Sequence, residues 1–233
     1  MLSANELEKR WESSLRRYAE LLASCSAARL TGTRDAGELY AVHVRDCLCS
    51  VPLLPALGSV IDVGSGGGLP GLVWAICRPD LSVTLLDSAR KKCRALEEFR
   101  DALGLVNVSV VWARCEEYAL TARESHALAA ARALAHAGVL AEYLSPLTAL
   151  GGRLLAFKGP KGSAELAQVG NQWGKLGLSR PHILSYDPLA EDAPESRDYS
   201  FVVWEKNAPC PSLYPRKSGA ALSKNWWHNQ LLG

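Results

Sequence analysis

The chain has 233 residues, a formal net charge of +2, 48% apolar residues and 21% charged ones. That length suits one large α/β domain with short appendages, and the composition can bury a sizeable core. So small a net charge does not by itself announce a nucleic-acid binder, and no apolar run approaches the ~20 residues needed to span a bilayer, so no membrane association is expected.

Residues 5–24 carry Leu7, Trp11, Leu15, Tyr18 and Leu22 at helical spacing with charge between them, which predicts an amphipathic helix. This stretch is charged throughout and is not expected to be a signal peptide. A second helix is expected over 36–54, carrying His43, Arg45 and Asp46. From there short apolar runs alternate with helical segments. Strands are expected at 59–64, 83–87 and 107–113, with a helix opened by Pro70 and another over 89–103 that Gly104 stops. Residues 126–134 read equally as strand or helix by propensity and are taken as a strand because the alternation requires one there. A helix over 138–149, a strand over 153–159 and a helix over 163–176 follow. Strands at 182–186 and 199–206, separated by a polar loop, end the series. Alternating β and α units imply a parallel sheet, and two last strands without a helix between them imply an antiparallel pair at one edge.

The seven cysteines (Cys25, Cys47, Cys49, Cys77, Cys93, Cys115 and Cys210) form no C-x-x-C, and Cys47-x-Cys49 has no second ligand pair. No metal is expected, and reduced thiols in a cytoplasmic protein are. The segment from Lys206 to Gly233 contains no Asp or Glu, whereas Arg216, Lys217 and Lys224 add positive charge. Such a tail suits a phosphate-rich partner and equally suits a solvated terminus.

The densest signal is Ile61-Asp62-Val63-Gly64-Ser65-Gly66-Gly67-Gly68-Leu69-Pro70-Gly71. A strand running into consecutive glycines and then a helix is expected to expose backbone N–H groups and to admit a ligand close to the main chain. Asp87, at the end of the next strand, is placed to accept hydrogen bonds from ribose hydroxyls. Gly66-x-Gly68-x-x-Gly71 matches the dinucleotide fingerprint. Asp62 instead favours S-adenosylmethionine, since a carboxylate there repels a pyrophosphate but suits cationic or ammonium groups. The terminal antiparallel pair points the same way. On these residues both ligand classes stay open.

Taken together, several stretches give the chain a specific resemblance. They are His43-Val44-Arg45-Asp46-Cys47-Leu48, residues 62–71, Leu85-Leu86-Asp87-Ser88 with Lys91-Lys92, Gly104-Leu105 with Asn107-Val108, and Arg114-Cys115-Glu116-Glu117. Arg132-Ala133, Gly151-Gly152-Arg153, Lys158-Gly159 and Tyr214-Pro215-Arg216-Lys217 with Gly219 complete the set. In this order and spacing the chain resembles the bacterial family of ribosomal RNA small-subunit methyltransferase G, also called glucose-inhibited division protein B. The resemblance implies an α/β, class I methyltransferase-like (Rossmann-like) fold: a mostly parallel sheet with an antiparallel terminal strand, helices on both faces and an N-terminal helical extension. The expected division is 1–55 for that extension, 56–207 for the S-adenosylmethionine-binding domain and 208–233 for a basic tail. The implied activity is methylation of N7 of a guanine in 16S rRNA, with S-adenosyl-L-methionine as cofactor and the rRNA or the small subunit as partner, by a protein expected to be a monomer.

Carried over by position, Gly64, Leu69, Cys115, Glu116 and Arg132 match the family's cofactor contacts, and Asp87 sits where class I enzymes hold the ribose. Asp62 and Gly66 join them from the loop reading. Lys158, Lys161, Arg216 and Lys217 are candidate RNA contacts, as is Arg132, with Trp226 and Trp227 as stacking candidates whose other reading is packing of the tail. Guanine N7 carries a lone pair at neutral pH, so transfer needs alignment and no proton removal. No catalytic residue is named, and His43, His126, His136, His182 and His228 are read as packing or surface residues. Arg90, Lys91 and Lys92 oppose the helix dipole where they stand, which hints at an anionic partner. The chain departs from the family at Ser24-Cys25, at Arg29-Leu30-Thr31, at Ala127 (an acidic position) and at the ending Lys224-Asn225-Trp226-Trp227. Two alternatives stand beside this reading: a nucleotide-dependent NAD oxidoreductase, and a catalytically inactive RNA-binding relative.

Overall fold

A computed structural model of the chain describes residues 3–26, 32–187 and 199–228. The departure at Arg29-Leu30-Thr31 and most of the polar loop before the last strand lie outside the described residues. The described chain forms two compact units, residues 3–113 with 186–187 and residues 114–185 with 199–228. The expected borders after residues 55 and 207 fall inside these units.

In the first unit, α1 (Ala4–Ser24) starts with a capping box: the Ser3 hydroxyl accepts from the Glu6 amide and the Glu6 carboxylate accepts from the Ser3 amide. Leu7, Leu15, Tyr18, Ala19 and Leu22 are buried along one stripe, as the spacing predicts. Residues 36–54 do not form one uniform helix. α2 (Ala36–Glu38) passes into a π-helical stretch, Leu39–Val44, then α3 (Arg45–Leu48) and a 3₁₀ turn, Val51–Leu53. Apolar periodicity reports the buried face, which tolerates such changes of winding, and so does not reveal them.

β1 (Ser59–Val63), β2 (Ser82–Asp87) and β3 (Val108–Trp112) are parallel, in the order 3-2-1. α4 (Gly71–Cys77) follows β1, and its seven residues are all buried. α5 (Arg90–Ala102) follows β2 and ends where Gly104 takes φ +64°. The Asn107 amide ties the turns together by donating to the carbonyls of Ala75, Arg78 and Leu81 at 3.1–3.3 Å.

The second unit opens with α6 (Cys115–Thr121), which the sequence reading missed. Its seven residues are too few for a clear period, and only Glu116 and Ala119 are buried. The ambiguous segment is strand β4 (His126–Arg132). α7 (Ala137–Leu144) is shorter than expected, because a 3₁₀ turn, Ser145–Leu147, ends it and Thr148 already belongs to β5 (Thr148–Lys158). The expected helix over 163–176 is broken: α8 (Gly162–Val169) stops at Gly170, φ +62°, before a 3₁₀ stretch, Gln172–Leu176. β6 (His182–Ser185) and β7 (Ser200–Glu205) are the expected antiparallel pair. β7 is also antiparallel to β5, β4 is parallel to β5, and the order is 4-5-7-6.

The carboxy-terminal segment carries α9 (Ala220–Ser223) and packs on α7. The Trp226 indole donates to the Gly138 carbonyl at 2.7 Å, and the Trp227 ring stacks on His136 at 5.0 Å between centroids. A methyl group on Gly138 would collide with the Trp227 ring, which is why the helix carries glycine there. Both tryptophans are buried, so they are packing residues and not base-stacking ones.

Candidate functional site

The first unit assembles Asp62, Gly64, Gly66, Leu69 and Asp87 around one loop at the carboxyl ends of β1 and β2. Gly64, Gly66 and Gly68 take φ of +74°, +58° and +98°, a region costly for any side chain-bearing residue. The expectation that the loop presents unsatisfied N–H groups needs correction. The Gly64 and Ser65 amides donate to the Leu86 carbonyl and the Gly68 amide to Ser65. The Gly66 amide donates to Asp87 Oδ2 at 2.9 Å and the Gly71 amide to Asp62 Oδ2 at 3.0 Å. These amides hold the loop in shape, so the glycines serve close approach of a ligand to the chain.

Asp62 is fully buried, and its bond to Gly71 closes the far end of the loop. Packing explains the glycine: a Cβ at position 71 would collide with Leu85 and lie 2.9 Å from Asp62 Oδ2. Asp87, also buried, accepts from Gly66 through one oxygen and from the Ala89 amide at 2.8 Å through the other. A Cβ on Gly66 would meet nothing closer than the Gly64 carbonyl at 3.8 Å, so the space above that glycine is open. Open space beside a rigid loop and a carboxylate oriented by two amides fit an adenosine-bearing ligand with ribose hydroxyls to donate. One contributor escaped the sequence reading. Tyr18 of α1, buried, donates its hydroxyl to the Gly67 carbonyl at 2.8 Å. Nothing in residues 5–24 distinguishes that tyrosine from any other core aromatic.

The second unit holds Cys115, Glu116, Arg132 and the four lysine and arginine candidates. Glu116, at the start of α6 and buried, accepts from the Gly219 amide at 3.0 Å and from the Cys115 thiol at 3.2 Å. Burial, with the Glu116 carboxylate beside it, pushes the Cys115 thiol well above its ordinary range, so the sulfur is no nucleophile. Arg132 ends β4 with its guanidinium 5.9 Å from the centre of the Phe157 ring, and Ala133 after it takes φ +51°.

The four basic candidates divide into two kinds. Lys158 donates to the Ala135 carbonyl at 2.7 Å and pairs with Glu165 at 2.6 Å, and Glu165 also accepts from the Ala137 amide. Arg216 pairs with the buried Glu142 at 2.7 Å and donates to the Lys224 carbonyl at 2.6 Å. Lys161 and Lys217 are exposed. Two of the four charges are therefore met inside the protein, and two face solvent. Lys206, first residue of the segment without Asp or Glu, is buried: its ammonium donates to the Ser145 carbonyl and hydroxyl and lies 3.1 Å from Glu124. Burial, only partly offset by Cys210 and Glu124, lowers its pKa.

Among the described residues no group of His, Cys, Asp and Glu could hold a metal ion, and no helix is long and apolar enough to cross a membrane. The described strands and helices form the class I methyltransferase fold. Solved structures of like fold include a 16S rRNA (adenine(1408)-N(1))-methyltransferase from Catenulisporales acidiphilia, with TM-score 0.52, 12% identity and 66% of this chain and 89% of that one covered. Another is a predicted O-methyltransferase from Agrobacterium tumefaciens, with TM-score 0.52, 18% identity, 82% of this chain and 81% of that one.

The family model GidB, rRNA small subunit methyltransferase G, matches residues 11–188. Relatives named ribosomal RNA small subunit methyltransferase G include one from Rubrobacter xylanophilus, 41% identical over 89% of this chain and 80% of its own length. One from Thermobifida fusca is 42% identical over 72% and 69%. The chain belongs to this family and is a methyltransferase of the S-adenosylmethionine-dependent class. These matches favour neither the oxidoreductase nor the inactive binding relative.

Proposed function

We propose that the chain transfers the methyl group of S-adenosylmethionine to N7 of a guanine in 16S rRNA, acting as a monomer in the cytoplasm. Family membership supports the rRNA substrate, and the glycine loop braced by Asp87 is the observation that carries the cofactor reading. When bound, the cofactor supplies a sulfonium-activated methyl group. In this reading Asp87 would accept from the ribose hydroxyls, and Gly64, Gly66 and Leu69 would let the cofactor lie close to the main chain. Asp62 acts on the cofactor through the loop it closes. By their match to the family, Cys115, Glu116 and Arg132 are cofactor contacts as well. The lone pair on guanine N7 would form the new N–C bond as the methyl–sulfur bond breaks and S-adenosylhomocysteine leaves, so the protein's task is alignment and exclusion of water, which needs no general base. Lys161 and Lys217 neutralise RNA phosphates directly. Lys158 and Arg216 act by fixing the backbone around them through Glu165 and Glu142.

The test is to map modified nucleotides in 16S rRNA from cells with and without the gene. The expected result is one guanine whose N7-methyl is present only when the protein is. An identical methylation pattern in both would overturn the proposal.

A further inference from the structure

The start of α5 is built against its own stability. Its N-cap, Ala89, offers no side-chain hydrogen bond, and the first turn holds Arg90, Lys91 and Lys92 with no acidic residue. Cations at a helix N-terminus oppose the dipole, and Arg90 with Arg94 is a like-charge pair at i,i+4. Arg90, Lys91 and Arg94 are exposed. Among the described residues Lys92 is the one member of this group with a carboxylate in reach, Asp87 at 4.0 Å.

Against this cluster stands Trp112, the last residue of β3. Its side chain is fixed, since the indole donates to the Ser88 carbonyl at 3.0 Å, yet the residue is 57% exposed. The Arg90 guanidinium lies 5.0 Å from the centre of its ring. A large aromatic held rigid in solvent beside exposed cations is what a stacked base beside a phosphate requires. Its place also fits. Strand register sets Trp112 beside Asp87, whose carboxylate holds Gly66 of the cofactor loop.

We propose that Trp112, with Arg90 against its ring, is a platform on which an unpaired base of the substrate RNA stacks while Lys91 and Arg94 neutralise the adjoining phosphates. The platform holds single-stranded RNA next to the cofactor loop. This rests on the reading of the protein as an rRNA methyltransferase.

The experiment compares the intact protein with Trp112→Ala, Trp112→Phe and Lys91→Ala/Arg94→Ala. Four quantities are measured: affinity for a fluorescein-labelled single-stranded oligoribonucleotide and for 30S subunits, methyl transfer to 30S subunits, calorimetric affinity for S-adenosylhomocysteine, and the thermal melt. Trp112→Ala should weaken RNA binding about 10-fold and Trp112→Phe less than about 3-fold, with cofactor affinity and melt unchanged. The double variant should make the salt dependence of oligonucleotide binding shallower by about 1.4 in log–log slope. Unchanged RNA affinity in Trp112→Ala, in a protein that binds and methylates rRNA, overturns the platform alone. Loss of S-adenosylhomocysteine affinity instead would mean that the indole serves the methyl donor, and also overturns it. An intact protein that neither binds nor methylates rRNA overturns both proposals.

Discussion

His126 shows what a single misfit side chain does to the pH dependence of the fold. It is buried at the start of β4, beside Tyr118, and neither ring nitrogen has a hydrogen-bond partner among the described residues. Burial lowers its pKa from 6.5 to about 4. Between those values the unfolded chain binds the proton and the folded one does not, so stability present above pH 6.5 drains away as pH falls toward 4. The expected loss at pH 5 is about 2 kcal/mol. Denaturant midpoints measured from pH 7.5 to pH 5 should show it, and His126→Phe should remove that part of the pH dependence. Equal slopes in the two proteins would refute the assignment. Arg216 is a second case. Arg216→Ala strands the buried Glu142 and should cost about 3–5 kcal/mol of stability. Lys217→Ala, one position on, should leave the melt in place and lower only RNA affinity. Melting and RNA titration of the two variants separate an arginine that holds the tail from a lysine that holds RNA.

Between elements, the tie of greatest consequence runs from α1 to the glycine loop through the Tyr18 hydroxyl. It makes the amino-terminal helix part of the loop's support. Removing that hydroxyl leaves the buried Gly67 carbonyl without this donor, at a cost of about 1–3 kcal/mol. Tyr18→Phe should therefore weaken S-adenosylhomocysteine binding about 5-fold or more by calorimetry, and unchanged affinity would show that the helix only covers the core. The elements also mark where sequence reasoning reached and where it stopped. The strands at 59–63, 82–87 and 108–112 were legible, because each is a short, mostly apolar run at the place where strand and helix segments alternate. The helix at Cys115–Thr121 was not, since seven residues with two buried ones carry no readable period. The break at Gly170 was missed because one glycine in an apolar pattern reads as tolerated; its φ of +62° shows that it stops the helix.

Over the whole chain, residue types and their order pointed to the fold class and the cofactor, and family membership agrees. What they could not convey was how charges are spent. Sequence presents Lys158, Lys161, Arg216 and Lys217 as equivalent cations, whereas Glu165 and Glu142, remote or unremarked in the sequence, claim two of them. Trp226 and Trp227 read as base-stacking candidates for which packing of the tail is the favoured alternative, and Gly138 and His136 beneath them are what the packing consists of. The glycine loop carries one more consequence. Its amides at Gly64, Ser65, Gly66 and Gly68 are satisfied by the protein itself, so a ligand inherits a preorganised surface and avoids an ordering cost of about 1–2 kcal/mol per residue. Deuterium uptake at those positions should consequently be slow in protein alone and fall only slightly further with S-adenosylhomocysteine; rapid uptake that ligand abolishes would mean that binding builds the surface.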